Sequence, residues 1–373
     1  MKHRAIGTVL FGLGALLLVF AAGLAFVVAP AVTKLPYDLE RSVSVVEAPG
    51  ARFLQIKKIG DNVEIKTHQA TLRSTVAVQP NAKATADLTG DLDSTAVVWT
   101  VGQTVERTDL KEQVSAYAAE LAIDRVSGEG LFWNGQWLDE AEERAAVLFE
   151  GQVYKFPFNT EKKEYRIYDR DVRKALPARY IGTETVDGVE VYRFEQVIDD
   201  QELRMDDGRV AALLGSFAPG ATEGKVVYSN TRTVWVEPLT GSYLKVQEVQ
   251  RKALVPNSGL GTVLLDATFD STPETVAAAV ERARESRQQL QTVRLYGPIT
   301  LTILGVASII GGLLVARRRA DPSPSPRHSS GDDSMEGRGG PLTDELPPAS
   351  QNWRSDDTTA PIQRSAPDEA ERR

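Results

Sequence analysis

The chain has no cysteine and only three histidines among its 373 residues. Without cysteine there are no disulfides, thiolate nucleophiles or cysteine metal sites, and an oxidising compartment adds no covalent staple. A domain of this length buries a sufficient core without one. His3 and His328 lie toward the two ends, leaving His68 alone in the body of the chain. That count excludes a histidine metal cluster. A Ser–His–Asp system would rest on His68, whose run Lys66-Thr67-His68-Gln69 reads as a solvated strand. Glycine-rich phosphate loops are missing too: Gly128-Glu129-Gly130 has no third glycine and no following helix.

The acidic clusters add little chemistry. Asp91-Leu92-Asp93-Ser94-Thr95 has the spacing of a phosphoryl-transfer loop, but Ala86–Gly90 before it is not the buried strand that such a loop follows. It reads as a polar turn. Glu140, Glu142 and Glu143 share the charged run Asp139–Arg144, a solvated face rather than a glycoside-cleaving pair. The sequence points to no enzyme, no cofactor and no metal.

What the chain does have is two apolar spans, Ala5–Val28 and Leu295–Val315. Each holds about 20 residues or more without an ionised side chain, enough to cross the roughly 30 Å hydrocarbon core as a helix. Lys2, His3 and Arg4 precede the first, and Arg317, Arg318 and Arg319 follow the second. Positive flanks stay cytoplasmic, so both termini are expected inside and the segment between the spans outside the plasma membrane. Ala29-Pro30-Ala31 fits a signal cleavage site, yet the apolar stretch is about twice the usual 7–15 residues, which favours an uncleaved anchor. The formal net charge of −8 falls on the middle segment. An acidic exterior argues against nucleic acid as a partner.

The middle segment reads as mostly β. Short β-branched runs occur at Ser42–Glu47, Phe53–Ile59, Asn62–Thr67, Thr71–Val78 and Thr95–Val101. Further runs follow at Gln152–Phe156, Val189–Ile198, Lys225–Glu237, Tyr243–Val249 and Thr262–Phe269. Gly60-Asp61-Asn62, Asp187-Gly188 and Pro238-Leu239-Thr240-Gly241 are turn signals between them. Leu110–Ile123 has apolar residues at helical spacing and is expected to be a helix, as is Val276–Val293 after the capping run Ser271-Thr272-Pro273-Glu274. Gly297-Pro298 marks a kink where this stalk meets the second span. The fold class is α+β: a β-rich extracytoplasmic domain, antiparallel sheet or open barrel, between two transmembrane helices. The expected division is 1–4 cytoplasmic start, 5–28 first span, 29–272 β-rich domain, 273–294 stalk, 295–315 second span and 316–373 disordered tail.

One aromatic-basic centre stands out, Gly151-Gln152-Val153-Tyr154-Lys155-Phe156-Pro157-Phe158, followed by Lys162, Lys163, Tyr165 and Tyr168. Tyr154, Phe156 and Phe158 fall at period two and share a face if the strand continues. The bland reading is core packing. The functional one is an apolar groove lined or supported by Tyr154, Phe156, Phe158, Tyr165 and Tyr192, with Lys155 at its rim for an anionic or sugar head group.

The runs Ile123–Glu129, Val153–Lys162, Asp187–Phe194 and Val236–Gly241 resemble an actinobacterial family of two-span envelope proteins named porin PorA. The resemblance covers nearly all of residues 1–316. The family name implies a pore. Relatives associated with mycolate-type glycolipids and lipoglycan maturation imply instead a lipid- or glycolipid-binding external domain, beside a transporter or cell-envelope assembly proteins. A scaffold or sensor that signals to the tail is the structural alternative.

Overall fold

A computed structural model describes residues 2–60, 62–140 and 144–317. Of the tail expected to be disordered, residues 316 and 317 belong to the last helix and the rest lies outside the described residues, as do Glu142 and Glu143.

Two long helices flank the sheet. The first runs as α1 (Lys2–Gly23), a π-helical turn (Leu24–Val28) and α2 (Ala29–Val32). Three further helices are α3 (Ala82–Ala86), α4 (Asp207–Phe217) and α5 (Pro273–Gln291). The last of these passes through a second π-helical turn (Thr292–Tyr296) into α6 (Gly297–Arg317). Ala5–Val32 and Pro273–Arg317 are each long and apolar enough to cross a membrane. Both π turns sit just ahead of a proline, Pro30 and Pro298. Proline offers no N–H and its ring crowds the carbonyl one turn back, and a widened turn relieves that conflict without a break. The kink expected at Gly297-Pro298 takes this form.

α1 and α6 pack directly against each other at small residues. A Cβ on Gly14 would lie 2.6 Å from the Gly305 carbonyl oxygen, and one on Gly7 2.7 Å from that of Gly312. Only glycine permits so close an approach. The outward side chains, Val19, Phe20, Ile303 and Leu314 among them, are exposed and apolar.

Between the helices lie thirteen strands: β1 (Ser42–Ile59), β2 (Asn62–Pro80), β3 (Ala96–Arg107), β4 (Glu112–Asp124), β5 (Gly130–Leu131), β6 (Trp137–Asp139), β7 (Arg144–Ala145), β8 (Tyr165–Asp169), β9 (Lys174–Val186), β10 (Val189–Glu202), β11 (Gly224–Val236), β12 (Tyr243–Pro256) and β13 (Thr262–Ser271). They form one antiparallel sheet in the order β7-β6-β4-β3-β2-β1-β13-β12-β11-β10-β9-β8, with β5 beside β4. The fold is α+β, and the sheet is not closed. Its first and last strands in the sequence, β1 and β13, pair at the centre, with Val46 opposite Ser271. That pairing delivers both chain ends to the same place, where the two long helices leave together.

Two local expectations fail. Leu110–Ile123 is not a helix but mostly β4, in which Tyr117, Ala119, Leu121 and Ile123 alternate inward. Its alanines favour helix by propensity, but twelve paired positions against β3 decide otherwise. Gln152–Phe156 is not a strand either, because Tyr154 takes a positive φ of 61° that breaks the extended run. The Asp187-Gly188 turn does form, with φ of 45° and 79° as a two-residue primed hairpin requires.

The inner face of the sheet carries most of the core. Val97, Trp99, Val101, Leu121 and Ile123 pack with Phe149, Val153 and Tyr168. At the far end α4, capped by Asp206 accepting from the Arg209 N–H, lays Leu213 and Leu214 over Val226, Leu254 and Leu264. α5 lies on the opposite face, where Ala279, Val280 and Ala283 meet Val189, Val191, Trp235 and Leu244. The two halves of the sheet curl toward each other until Gln152 bridges both, antiparallel to Glu129 and parallel to Ile167.

Candidate functional site

The aromatic-basic centre nominated by the sequence is interior. Phe156 is fully buried with Ile167, Ala178, Phe194, Val234 and Val236. Its ring centroid lies 4.6 Å from Phe194, 4.9 Å from Tyr165 and 5.7 Å from Tyr243. Tyr154 and Phe158 pack against the other cluster, with Trp99 and Phe149, so the three aromatics do not share a face. Tyr192 is half-buried beside Tyr180, and Lys162 sits 4.9 Å over its ring. These rings fill one another's space.

Lys155 is not at a rim. It is buried, donates to the carbonyls of Phe156 (2.8 Å) and Thr240 (2.6 Å), and lies 3.8 Å over the Phe158 ring. Burial pulls its ammonium down to about 7, against the opposing pull of Glu237. The Glu237 carboxylate is buried too, accepting from the Thr240 N–H and hydroxyl at 2.7 Å, and comes within 3.9 Å of Arg287 on α5. Gly241 makes this crossing possible: its φ is +72°, and a Cβ there would fall 2.1 Å from the Phe156 oxygen.

The more unusual arrangement lies at the middle of the inner face. β11 presents Tyr228, Asn230 and Arg232 inward, and β12 presents Glu248, Gln250 and Lys252 opposite them. The Arg232 guanidinium bonds Asp169 (3.1 Å), the Gln196 side chain (3.0 Å), the Tyr168 carbonyl (3.2 Å) and Glu248. Lys252 donates to Asp171 at 2.6 Å and lies 5.3 Å over the Tyr228 ring. Arg170 completes the set, 3.8 Å from Asp171, 3.7 Å from Glu140 and 4.3 Å over the Tyr117 ring. The Tyr117 and Tyr154 hydroxyls are hydrogen-bonded beside it.

Opposite charges stabilise this network, and their burial is costly. Burial raises the Asp169 carboxyl, with Arg232 pulling the other way. Burial also pushes Asp171 up, but Lys252 and Arg170 outweigh it and hold that carboxyl at about 2. Gln250 gives its amide to Glu248 at 2.6 Å. Asn230 is buried, and neither its amide nitrogen nor its oxygen has a hydrogen-bond partner.

Sequence reasoning passed over this cluster, although its signal was there. In Lys225–Glu237, and in Tyr243–Val249 with its continuation to Pro256, the inward positions turn polar in mid-strand, between Val226 and Val234 on one strand and between Val246 and Leu254 on its neighbour. Glu140, 36% exposed, stands at its solvated edge, 3.7 Å from Arg170 and 2.9 Å from Arg173. His68 is half-buried with its ring 6.0 Å from Phe53, and Gly90–Leu92 is a short 3-10 turn. Among the described residues no group of three or more His, Cys, Asp or Glu is arranged to hold a metal ion.

The family model named Porin PorA matches residues 6–314. The chain belongs to the Porin PorA family. A "Porin PorA" of Corynebacterium resistens is 26% identical over 308 residues, covering 61% of this chain and 74% of the relative. A "Porin PorA" of Corynebacterium amycolatum is 22% identical over 344 residues, 79% of this chain and 86% of that protein. The match runs through both apolar helices, and a member of the Porin PorA family built this way is a membrane protein.

Proposed function

We propose that this Porin PorA family member is a membrane-tethered, non-enzymatic component of solute passage, whose sheet domain receives small polar solutes in its ion-lined interior. The spans hold the domain at the membrane and are not the conduit. The observation behind this reading is the inner-face network of Arg232, Lys252, Arg170, Asp169, Asp171 and Glu248, where a lipid carrier needs an apolar wall. The family name supports a role in passage. A membrane barrel fits less well, because the outer sheet face carries the exposed pairs Arg52–Asp266 and Arg73–Glu47 in place of a lipid-facing band. The helix pair carries no ionised residue between its ends to line water. Both termini are cytoplasmic in this proposal, from the positive flanks of the two spans.

Uptake of small hydrophilic solutes by cells lacking the protein tests it. Uptake should fall several-fold, recover with the intact chain, and not recover with Arg170→Ala made at the same level in the membrane, a change at a position 31% exposed. Uptake that does not depend on the protein overturns the reading.

A second reading is binding of envelope lipid, which a different feature favours. Beyond α4 an open recess of about 390 Å³ is lined by Phe217, Ala218, Pro219, Ala221 and Leu260, the last 90% exposed. Mass spectrometry of lipids co-purified with the intact chain and with Leu260→Asp tests it: a lipid lost in the variant supports it, and a lipid-free intact chain dismisses it. In either reading Tyr154, Lys155, Phe156, Phe158, Tyr165 and Tyr192 serve as the framework that joins the sheet to α5.

A further inference from the structure

Two clips tie the sheet domain to the chain just outside the long apolar helices. Three residues beyond Val32, where the first of these ends, the Leu35 N–H donates to the Arg125 carbonyl at 2.7 Å. The Arg125 Nε returns a bond to the Leu35 carbonyl at 2.6 Å. Arg294, the residue before the apolar run Leu295–Val315, donates to the Asn159 side-chain oxygen at 2.9 Å. The two loops held in this way are joined to each other, because the Phe158 N–H donates to the Val126 carbonyl. These bonds give the domain a fixed base beside the spans.

The charges of that base differ from those of the rest of the chain, whose formal net charge is −8. Sheet cations such as Arg52, Lys57, Arg73 and Arg232 pair with carboxylates. At the base, among the described residues, Lys34, Arg125, Lys162 and Arg294 have no carboxylate in ion-pair reach. Arg125 and Arg294 bond neutral oxygens, Lys162 lies over the Tyr192 ring, and Lys34 is exposed. Glu161, on the same loop as Lys162, is taken by Lys163 at 2.7 Å. Two exposed tyrosines stand among these cations: Tyr37, 3.8 Å beneath the Arg125 guanidinium, and Tyr296, two residues beyond Arg294. Tyrosine is favoured where hydrocarbon gives way to water, and cations there bond and attract lipid phosphates.

We propose that this base is a seat for anionic phosphate head groups of the membrane in which the protein is anchored. Lys34, Lys162 and Arg294 are the phosphate contacts, and Tyr37 and Tyr296 are the interfacial rings. Arg125 is a positioning residue, holding the linker through Leu35. The seat stands apart from the solute and lipid-binding readings, since it grips the surface of a bilayer and takes no molecule out of it.

The test places the full chain in nanodiscs of phosphatidylcholine alone or with added phosphatidylglycerol and reads backbone hydrogen exchange. Residues 33–38, 125–128 and 158–163 should exchange several-fold more slowly in the anionic discs, and less so at high salt, while β1 and β13 exchange alike in both. Combining Lys34→Gln, Lys162→Gln and Arg294→Gln should remove the difference. Combining Lys58→Gln and Lys111→Gln, at hairpin turns of the far end, should keep it. Equal exchange in the two lipids, a difference that survives the base variant, or one lost as readily from the far end overturns the seat. Should the triple variant fail to fold, as β1 and β13 would report, Lys34→Gln with Lys162→Gln replaces it under the same criteria. Inorganic phosphate added to the neutral discs should not reproduce the protection. If it does, the surface is a site for free phosphate and the seat is overturned.

Discussion

Lys155 makes the sharpest prediction at the scale of a residue. Its ammonium is held near 7 in the folded chain, whereas an unfolded lysine titrates near 10.5. Between those values the unfolded chain binds the extra proton, so stability rises as pH increases from about 7 toward about 10.5 and is flat beyond either limit. Denaturant midpoints at pH 7 and pH 9.5 should show that rise, up to a few kcal/mol, and Lys155→Met should abolish it. Arg232 gives a second. Arg232→Met strands the Asp169 and Glu248 carboxylates in the interior, and breaking such a buried pair costs about 3–5 kcal/mol. Equilibrium unfolding reads that loss, and lowering the pH should return part of it by protonating Asp169. Neither side chain betrays its setting in the sequence. Lys155 sits in an aromatic run that looks like a groove, and only the positive φ at Tyr154, fixed by tertiary contacts, turns it inward.

Among the elements, the helix pair rests on backbone contact. Gly14→Leu drives a side chain into the Gly305 carbonyl and should lower the melting temperature in detergent by several degrees, while the same change at Gly12, which faces open space, should leave it unchanged. Element identity was largely legible where the pattern was long. The capped stalk helix, the primed turn at Asp187-Gly188 and the strands β10 and β11 follow from spacing and turn chemistry, whereas β1 and β2 each run unbroken through what the sequence divides into two short strands, and β12 extends past Val249 to Pro256. β4 was not legible, because Ala118, Ala119 and Ala122 suit a helix and only pairing with β3 reveals the alternation. The site was less legible still. The polar middle of β11 and β12 is visible in each strand singly, yet it becomes a site only when β8 brings Asp169 and its successors Arg170 and Asp171 across from the sheet's far edge. Side-chain partners separated by some 60–80 residues and lying on elements that do not pair, as Asp169 and Arg232 or Asp171 and Lys252 do, leave no local trace.

For the whole molecule the absence of cysteine is an experimental gift, since any introduced thiol is unique. Leu260→Cys, at the exposed far end of the sheet, should react with a membrane-impermeant maleimide on intact cells, and Ala316→Cys, at the end of α6, only after permeabilisation. The opposite pattern would reverse the proposed orientation. Purified full-length chain in a planar bilayer should give no steady conductance, because the glycine-packed pair leaves no room between its helices. Steady channels would move the conduit into the spans.

The pairing of β1 with β13 also gives the domain a mechanical direction. Both long helices leave the sheet from the same end of that central ladder, where Val46 faces Ser271. Pulling the spans apart would load its hydrogen bonds one at a time, like opening a zip, and the sheet would part down its middle rather than fray at its edges. The glycine contacts between α1 and α6 are therefore a clasp on that zip, and the strength of the sheet is set partly inside the helix pair.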